Sequence, residues 1–194
     1  MMYIENIGLM IGFHGCSKDR VLDAVTGKSG LKKSENKYDW LGSGIYFWDR
    51  DAMRALEFAK ERKERKDPAV VGAVITPGNC LDLRCREGQE VIRTAYEVYS
   101  DLFGPPEAEN HLYKDGVAMK RDLDCLIINT ACDIFATTGK NFDTVIGTFI
   151  EGRPVFPGAG VHDRTHTQIS VRNPKCILGY FLPGKGILPK QDCS

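Results

Sequence analysis

The order of the apolar segments along this 194-residue chain constrains its fold more than any other feature. Segments of strand type lie near both ends, and the two longest helical patterns lie between them. A regular alternation of strands and helices would indicate a doubly wound parallel sheet, whereas this order favours an α+β fold. The length predicts a single domain over residues 1–194, with a tail from about residue 184 that we expect to be poorly ordered.

Apolar runs bounded by Gly, Pro or Asn predict six strands, at residues 7–13, 44–48, 69–76, 142–150, 167–171 and 176–182. Helical spacing with capping residues predicts four helices. They cover residues 17–25, a segment from Asp49 or Asp51 through the charged run 60–66 to Pro68, residues 89–103 and residues 122–135. In the second of these, Met53, Leu56 and Ala59 or Lys60 are expected on the inner face. The stretches 28–43 and 151–167 are rich in polar residues, Gly or Pro and predict loops.

Charge and cysteine content exclude few classes of partner, but they indicate the cellular compartment that we expect. Lys plus Arg and Asp plus Glu both number 26, so bulk charge does not indicate a nucleic-acid or membrane partner, although a local basic groove stays open. Seven cysteines without CxxC spacing favour reduced thiols over a disulfide framework. No run has the length of a membrane span, and the first residues do not have the pattern of a signal peptide. We therefore expect a cytoplasmic protein that does not contact membranes.

The first motif with chemical meaning is Phe13–His14–Gly15, at the end of the first predicted strand. Alone, a histidine at this place is more typical of an exposed strand end. In a functional role, the imidazole supplies a hydrogen-bonding group, and the glycine lets a ligand approach the backbone closely.

A second motif, Gly-Ser-Gly-Ile-Tyr-Phe at residues 42–47, has neither GxGxxG spacing nor the Lys-Ser/Thr of a P-loop. With His14 upstream, it resembles the NAD site of the poly(ADP-ribose) polymerase family of ADP-ribosyltransferases. That family has a strand ending in His-Gly, followed by a Gly-x-Gly-Ile-Tyr-Phe strand. Its third catalytic residue, usually Glu, opens a late strand, where this chain has Gln168. The resemblance extends from about His14 to Leu182.

The resemblance implies an ADP-ribosyltransferase fold, with split antiparallel sheets around an NAD cleft and flanking helices. NAD is then a substrate, and no metal is required. The catalytic set it implies is His14, Tyr46 and Gln168, and the NAD-binding set is His14, Gly15, Gly44, Tyr46 and Phe58. Within these sets, His14 orients a ribose on the adenosine side, the Gly15 backbone holds the nicotinamide carboxamide, and Tyr46 and Phe58 cover the two faces of the nicotinamide ring.

Cleavage of the nicotinamide–ribose bond generates an oxocarbenium-like centre, as in glycoside hydrolysis. A glutamate at position 168 would stabilise that centre by its charge and by a hydrogen bond to a ribose hydroxyl. Gln168 keeps the hydrogen bond and loses the charge. The sequence therefore predicts transfer of single ADP-ribose units, or hydrolysis, rather than polymer synthesis.

The loop before Gln168 is the expected acceptor loop, because in the wider superfamily this loop shapes acceptor choice. Its polar candidates are Glu151, Arg153, Arg164 and His166, and Glu151 is the candidate base on the acceptor. His162 and His166 have the spacing of a metal pair, but no third ligand is evident, so we expect no metal.

Several functions stay open. The leading one is a mono-ADP-ribosyltransferase, similar to bacterial toxins of toxin–antitoxin or anti-phage defence systems, with an antitoxin protein as a partner. Aromatic and arginine-bearing loops near the expected site favour a nucleic-acid acceptor, especially RNA, over a protein. The alternatives are an NAD glycohydrolase that depletes NAD and an inactive module that binds ADP-ribose or a partner. RNA 2′-phosphotransferases share the fold but use a more basic site.

Overall fold

A computed structural model describes residues 8–62, 66–112 and 118–184 of the chain. The strands are β1 Met10–Ser17, β2 Ile45–Asp49, β3 Pro68–Ile75, β4 Cys80–Asp82, β5 Asn110–Leu112, β6 Ala118–Arg121, β7 Thr144–Phe149, β8 His166–Val171 and β9 Ile177–Phe181. The helices are α1 Lys18–Val25, α2 Ala52–Glu61, α3 Arg86–Phe103 and α4 Asp122–Ala136.

Seven of the strands form one sheet, in the order β4-β7-β8-β2-β1-β3-β9. Neighbouring strands are antiparallel except for the parallel pair β4–β7. Strands β5 and β6 form a separate antiparallel pair. The predicted α+β class, with a mostly antiparallel sheet and helices beside it, is confirmed.

The sheet is hydrogen-bonded as one body, in contrast to the separate sheets that we expected, but it opens between β1 and β2. Strand β1 pairs with β3 along its whole length, from Met10 to Ser17. It pairs with β2 only at Gly12–Asp49 and Phe13–Trp48. Beyond Phe13 the two strands diverge, and the divergence creates a gap in the middle of the sheet.

Helix α2 packs against β1 beside this gap. The alanines at positions 52, 55 and 59 repeat at helical spacing and are buried. Small side chains let the helix approach the strand closely, and a Cβ atom added at Gly15 would lie 2.0 Å from the carbonyl oxygen of Ala55. The Asp51 side chain caps the helix by accepting a hydrogen bond from the Arg54 backbone N–H at 2.8 Å. These contacts fix α2 as one side of the gap.

Three sequence predictions for this part of the chain were wrong in detail. Met53, expected on the inner face of α2, is 41% exposed, because the alanine stripe and Arg54 face the sheet instead. Helix α2 ends at Glu61 instead of continuing to Pro68, which begins β3. Strand β1 continues past His14 to Ser17, so His14 lies within the strand. Residues 63–65 of the charged run lie outside the described residues.

Strands β4, β5 and β6 were not predicted, because segments of three or four residues are too short to show a hydrophobic period.

Cys80 and Cys132 are thiols, and burial raises the pKa of each to about 11. The predicted poorly ordered tail, apart from its first residue, and Cys193 lie outside the described residues. Within the described ranges, every helix is too short or too polar to cross a membrane.

Candidate functional site

The gap between β1 and β2 opens into a cleft of about 570 Å³. Its walls come from β1, β2, β8, α2 and the loop before β2. The cleft brings together six of the residues predicted from sequence: His14, Gly44, Tyr46, Phe58, Glu151 and Gln168. Gly15, Arg153, Arg164 and His166 are not among the residues that line it.

His14 bridges the strands at the point where their pairing ends. Its Nδ1 atom lies 2.7 Å from the carbonyl oxygen of Tyr46. A carbonyl only accepts hydrogen bonds, so Nδ1 carries the hydrogen and donates it. The ring also contacts Phe47 edge-on, with 5.9 Å between the ring centroids. The imidazole is therefore oriented by the backbone of β2 and by the core.

Tyr46 presents its ring to the cleft while its hydroxyl is engaged elsewhere. The hydroxyl donates to the Gly42 carbonyl at 2.6 Å and accepts from the Leu41 N–H at 2.8 Å. Burial raises the pKa of the phenol well above its usual range. The phenol thus stays neutral and is fixed in place, and the ring is the part of Tyr46 that a ligand in the cleft can contact.

The glycine turn before β2 is held by residues that sequence reasoning missed. Gly42 has a φ of 70°, which favours glycine. The Asn129 side chain accepts from the Ser43 N–H at 3.0 Å, and Arg172 donates to the Ser43 carbonyl at 3.0 Å. Asn129 lies 86 residues away in sequence, so no local pattern could have identified this contact.

Close packing explains why Gly15 and Gly44 are glycines. A Cβ atom at Gly44 would lie 2.1 Å from the Ser170 hydroxyl oxygen on β8. At Gly15, the backbone of Ala55 in α2 occupies the space that a Cβ atom would need. The sequence interpretation gave Gly15 a role in close ligand approach, whereas the structure gives it a role in helix–strand packing. Contact of the Gly15 backbone with a carboxamide stays a prediction.

Two aromatic side chains face each other across the α2 side of the cleft. Phe58 and Trp48 both line it, with 4.9 Å between their ring centroids. The guanidinium of Arg62 lies over Phe58, 5.1 Å from the ring centroid. The buried indole N–H of Trp48 has no hydrogen-bond partner among the described residues. Its two-residue spacing from Tyr46 was the sequence signal that could have placed Trp48 on the same face of β2.

A chain of polar side chains forms the β8 side of the cleft. Gln168 is paired with Trp48 in the sheet, and its Nε2 atom lies 3.0 Å from Nε2 of His166. On the far side of the imidazole, Nδ1 lies 2.8 Å from the Arg164 carbonyl and 3.4 Å from Oε2 of Glu151. The same Glu151 oxygen accepts from Arg54 at 2.9 Å.

This polar chain is charged at one end and neutral at the other. Arg54 is only 9% exposed, and its guanidinium also lies within 4 Å of Glu57 and Glu61. Burial lowers the pKa of His166, against the opposing effects of the Arg164 carbonyl and the Glu151 carboxylate. At neutral pH the imidazole is therefore uncharged.

The other predicted loop residues shape the loop and lie outside the cleft lining. The Arg153 backbone N–H donates to Asp163 at 2.9 Å, and the Arg164 backbone N–H donates to the Glu151 carbonyl at 3.2 Å. The Arg164 side chain reaches Glu61 on α2 at 3.4 Å. His162 and His166 belong to no group of three metal-ligating side chains in the part of the chain that the structure describes.

The outer part of the cleft carries cations that were not assigned from sequence, beside Tyr38 and Trp40, for which the sequence left open base stacking or packing, with packing as the default. Its exposed lining residues include the cations Arg20, Lys32, Lys33 and Arg62 and the aromatic Tyr38. Trp40 also lines the cleft, but it is half-buried and packs against Phe149, with 4.8 Å between the ring centroids. Asp39 and Glu61 also line the cleft, so the positive charge is partly offset. The Lys-rich composition of residues 28–43 was the signal for this surface.

No protein-family model, curated protein or solved structure matches the chain. A function is therefore argued from the motifs and from the geometry of the cleft.

Proposed function

We propose that this protein is an NAD-dependent mono-ADP-ribosyltransferase, which cleaves the nicotinamide–ribose bond and transfers ADP-ribose to a macromolecule. One observation carries the proposal: His14, Tyr46 and Gln168, far apart in sequence, come from three adjacent strands and line a single cleft. In the family that the motifs resemble, these positions bind NAD and support the reaction.

The side chains present suit the chemistry of that reaction. The electron pair of the nicotinamide–ribose bond leaves with nicotinamide, and positive charge develops on the ribosyl carbon. The rings of Tyr46 and Phe58 would hold nicotinamide, and the His14 imidazole would hold ribose through a hydroxyl. The amide oxygen of Gln168 would accept from a ribose hydroxyl and stabilise the developing charge. The acceptor then bonds to the ribosyl carbon, and its proton passes to Glu151.

Gln168 limits what such a site can do. An amide supplies a dipole to the developing cation, whereas a carboxylate supplies a full charge. The Glu151 carboxylate is already paired with Arg54, so its charge is partly neutralised. We therefore expect single transfers and no long poly(ADP-ribose) chains.

The outer cleft supports a nucleic-acid acceptor. Lys32 and Lys33 supply charges for phosphates, and the exposed ring of Tyr38 supplies a surface for stacking on an unpaired base. A protein acceptor is the second candidate, because the tip of the loop before β8 exposes Val155, Phe156 and Val161 by 52%, 64% and 65%. A backbone hydrogen bond of 3.0 Å from Val155 to Val161 orders this tip.

The test is incubation of the purified protein with NAD labelled in its adenosine portion, together with separated cellular RNA, DNA and protein. Nicotinamide release and label in each fraction are measured for the wild type, for Gln168→Ala and for Gln89→Ala, an exposed control on α3. We expect label in RNA, and a loss of about 100-fold or more in Gln168→Ala alone.

Each other outcome identifies a different function. Label in protein alone would replace the nucleic-acid acceptor with a protein. Free ADP-ribose without labelled macromolecule would indicate an NAD glycohydrolase. Binding of ADP-ribose without nicotinamide release would indicate an inactive binding module, and equal release by all three proteins would contradict the proposed site.

By analogy with the bacterial toxins of the family that the motifs resemble, we also infer a toxin or anti-phage defence role, in which an antitoxin protein is the partner. Expression in a bacterial host should then arrest growth for the wild type and not for Gln168→Ala. Arrest that persists in Gln168→Ala would contradict this role.

A further inference from the structure

We propose that His166 is a positioning residue: as a neutral imidazole it holds the Gln168 amide so that the amide oxygen is directed away from His166 and toward the cleft. His166 and Gln168 then form a matched pair, in which a neutral histidine requires the N–H donor that glutamine has and glutamate lacks. The effect on activity rests on the proposed function, whereas the pairing itself does not.

The direction of each hydrogen bond around His166 follows from the Arg164 carbonyl, which can accept a hydrogen bond but cannot donate one. The Arg164 carbonyl, 2.8 Å from Nδ1 of His166, can only accept, so Nδ1 carries a hydrogen. In a neutral imidazole the other nitrogen, Nε2, is then an acceptor. The Gln168 amide N–H, 3.0 Å away, donates to it. The amide oxygen of Gln168 must therefore point to the opposite side.

The surroundings of His166 hold the ring and keep it neutral. The imidazole is 5% exposed and lies among the rings of Trp40, Trp48 and Phe149, with centroids 6.0, 6.5 and 6.0 Å away. Packing against three aromatic rings restricts rotation of the imidazole.

The charged groups that face His166 come from two elements. Glu151, in the loop after β7, favours the protonated ring, and so does Asp51 at the start of α2. Arg54 on α2 opposes it, and burial, the largest effect, also lowers the pKa. The balance keeps the ring neutral at pH 7.

Protonation would reverse the pairing. With a hydrogen on Nε2, His166 becomes a donor and can no longer accept from the amide N–H. The Gln168 amide must then turn over, so that its oxygen faces His166 and its NH₂ group faces the cleft. An NH₂ group does not stabilise developing positive charge. The same logic applies to Gln168→Glu, because a carboxylate only accepts and would draw a proton onto Nε2.

The pairing is tested first without any reaction. Long-range ¹H–¹⁵N spectra of ¹⁵N-labelled protein report which ring nitrogen carries the hydrogen, and the His166 signals are identified by their loss in His166→Gln. At pH 7.5 we expect hydrogen on Nδ1. In Gln168→Glu we expect the pKa of His166 to rise by about one unit or more. Hydrogen on Nε2 at pH 7.5, or an unchanged pKa in Gln168→Glu, would overturn the proposal.

Activity supplies the second test. Nicotinamide release by the wild type should fall as the pH drops below the pKa of His166. His166→Gln supplies an oxygen acceptor that does not titrate, so release should be retained within about tenfold without this acidic decline. His166→Leu should lose about 100-fold by misorienting Gln168. His111→Gln, at an exposed histidine on β5, is the control and should behave as the wild type.

The two tests separate this proposal from the proposed function. Full release by His166→Leu, or an acidic decline that persists in His166→Gln, would overturn the positioning role of His166. A wild type that releases no nicotinamide but shows the expected tautomer and pKa rise would reject the transferase and leave the pairing supported.

Discussion

The two walls of the cleft are built by different means. We define the first wall as His14, Gly44, Tyr46 and Phe58. We define the second wall as Glu151, Gln168 and Arg54, which line the cleft, together with His166, which is bonded to Gln168 but does not line it. In the first wall, His14 and Tyr46 bond to backbone groups of the neighbouring chain segments. In the second wall, side chains bond mainly to one another.

This difference determines how each wall responds to a change of pH and to added side-chain volume. Backbone carbonyl and N–H groups do not titrate, and the Tyr46 phenol stays neutral because burial raises its pKa. The Nδ1–H of His14 can donate to the Tyr46 carbonyl in either protonation state of the ring. The first wall should therefore keep its shape over a wide pH range, but it has little room for added volume. The second wall contains a buried guanidinium, a carboxylate and an imidazole, so its geometry depends on protonation.

The largest expected effect tests the lack of room beside the first wall. In Gly15→Ala the added Cβ would lie 2.0 Å from a backbone oxygen of α2, which cannot move without displacing the helix. We expect the free energy of unfolding to fall by about 3 kcal/mol, measured by urea denaturation. Gly30→Ala is the control, because its added Cβ meets nothing closer than 3.8 Å. Equal stability of the two variants would mean that β1 and α2 are not in close contact.

A smaller effect is expected in the second wall. Glu151→Gln removes the charge that faces Arg54, whose guanidinium is almost fully buried. Since Glu57 and Glu61 lie nearby, Arg54 keeps part of its compensation. We expect the free energy of unfolding to fall by about 2 kcal/mol.

The matched control is Glu90→Gln, which breaks an ion pair with Arg93 on the exposed face of α3. Exposed pairs contribute little to stability, so no measurable change is expected. If the two variants were equally stable, the second wall would not depend on its buried charge.

The two walls also differed in how far the sequence predicted them. His14 and Tyr46 were found because the motif at residues 42–47 is local and nearly continuous. Gln168 was placed from strand order and a short pattern. Its partner His166 was assigned to the acceptor loop because the predicted strand began at Thr167, although the two-residue spacing from Gln168 would place both side chains on one face of β8.

The missed contacts share a physical cause. Asn129 and Arg172, which hold the glycine turn, are distant in sequence and were placed beside it only by folding. Met53 was wrongly placed on the inner face of α2 because a large apolar residue was favoured, whereas the close approach of α2 to Gly15 is made by alanines. The opening of the sheet after Phe13 likewise depends on how whole strands and helices pack together, and the strand propensity of the local sequence does not predict it.

The hydroxyl of Tyr46 gives a third, smaller effect. Tyr46→Phe keeps the ring in the first wall and leaves the Leu41 N–H without its acceptor. We expect a loss of about 1.5 kcal/mol in the free energy of unfolding, because Leu41 is buried, and nicotinamide release within about tenfold of the wild type. Tyr96→Phe on α3, an exposed tyrosine, is the control. A release that falls by 100-fold would assign the hydroxyl, and not the ring, to the reaction.

The smallest expected effect is a dependence of the free energy of unfolding on pH, which should come from the second wall and not from the first. The pKa of His166 is lowered in the folded protein, and the ordinary pKa of histidine is about 6.5. As the pH falls below that value, the unfolded chain binds a proton that folded His166 does not. Stability therefore declines with falling pH until the folded-state pKa is reached, by about 1.4 kcal/mol for each unit of lowering. Urea denaturation at pH 7.5 and pH 5.5 measures this decline.

Comparison with two variants isolates the contribution of the second wall. His166→Gln removes the titrating group and should show a shallower loss of stability between the two pH values. His111→Gln removes an exposed histidine and should keep the full wild-type decline. Suppose instead that the free energy of unfolding of His166→Gln fell as steeply between the two pH values as that of the wild type. Protonation of His166 would then not make the second wall more sensitive to pH than the first. The dependence of Gln168 on a neutral imidazole would then lose its energetic basis.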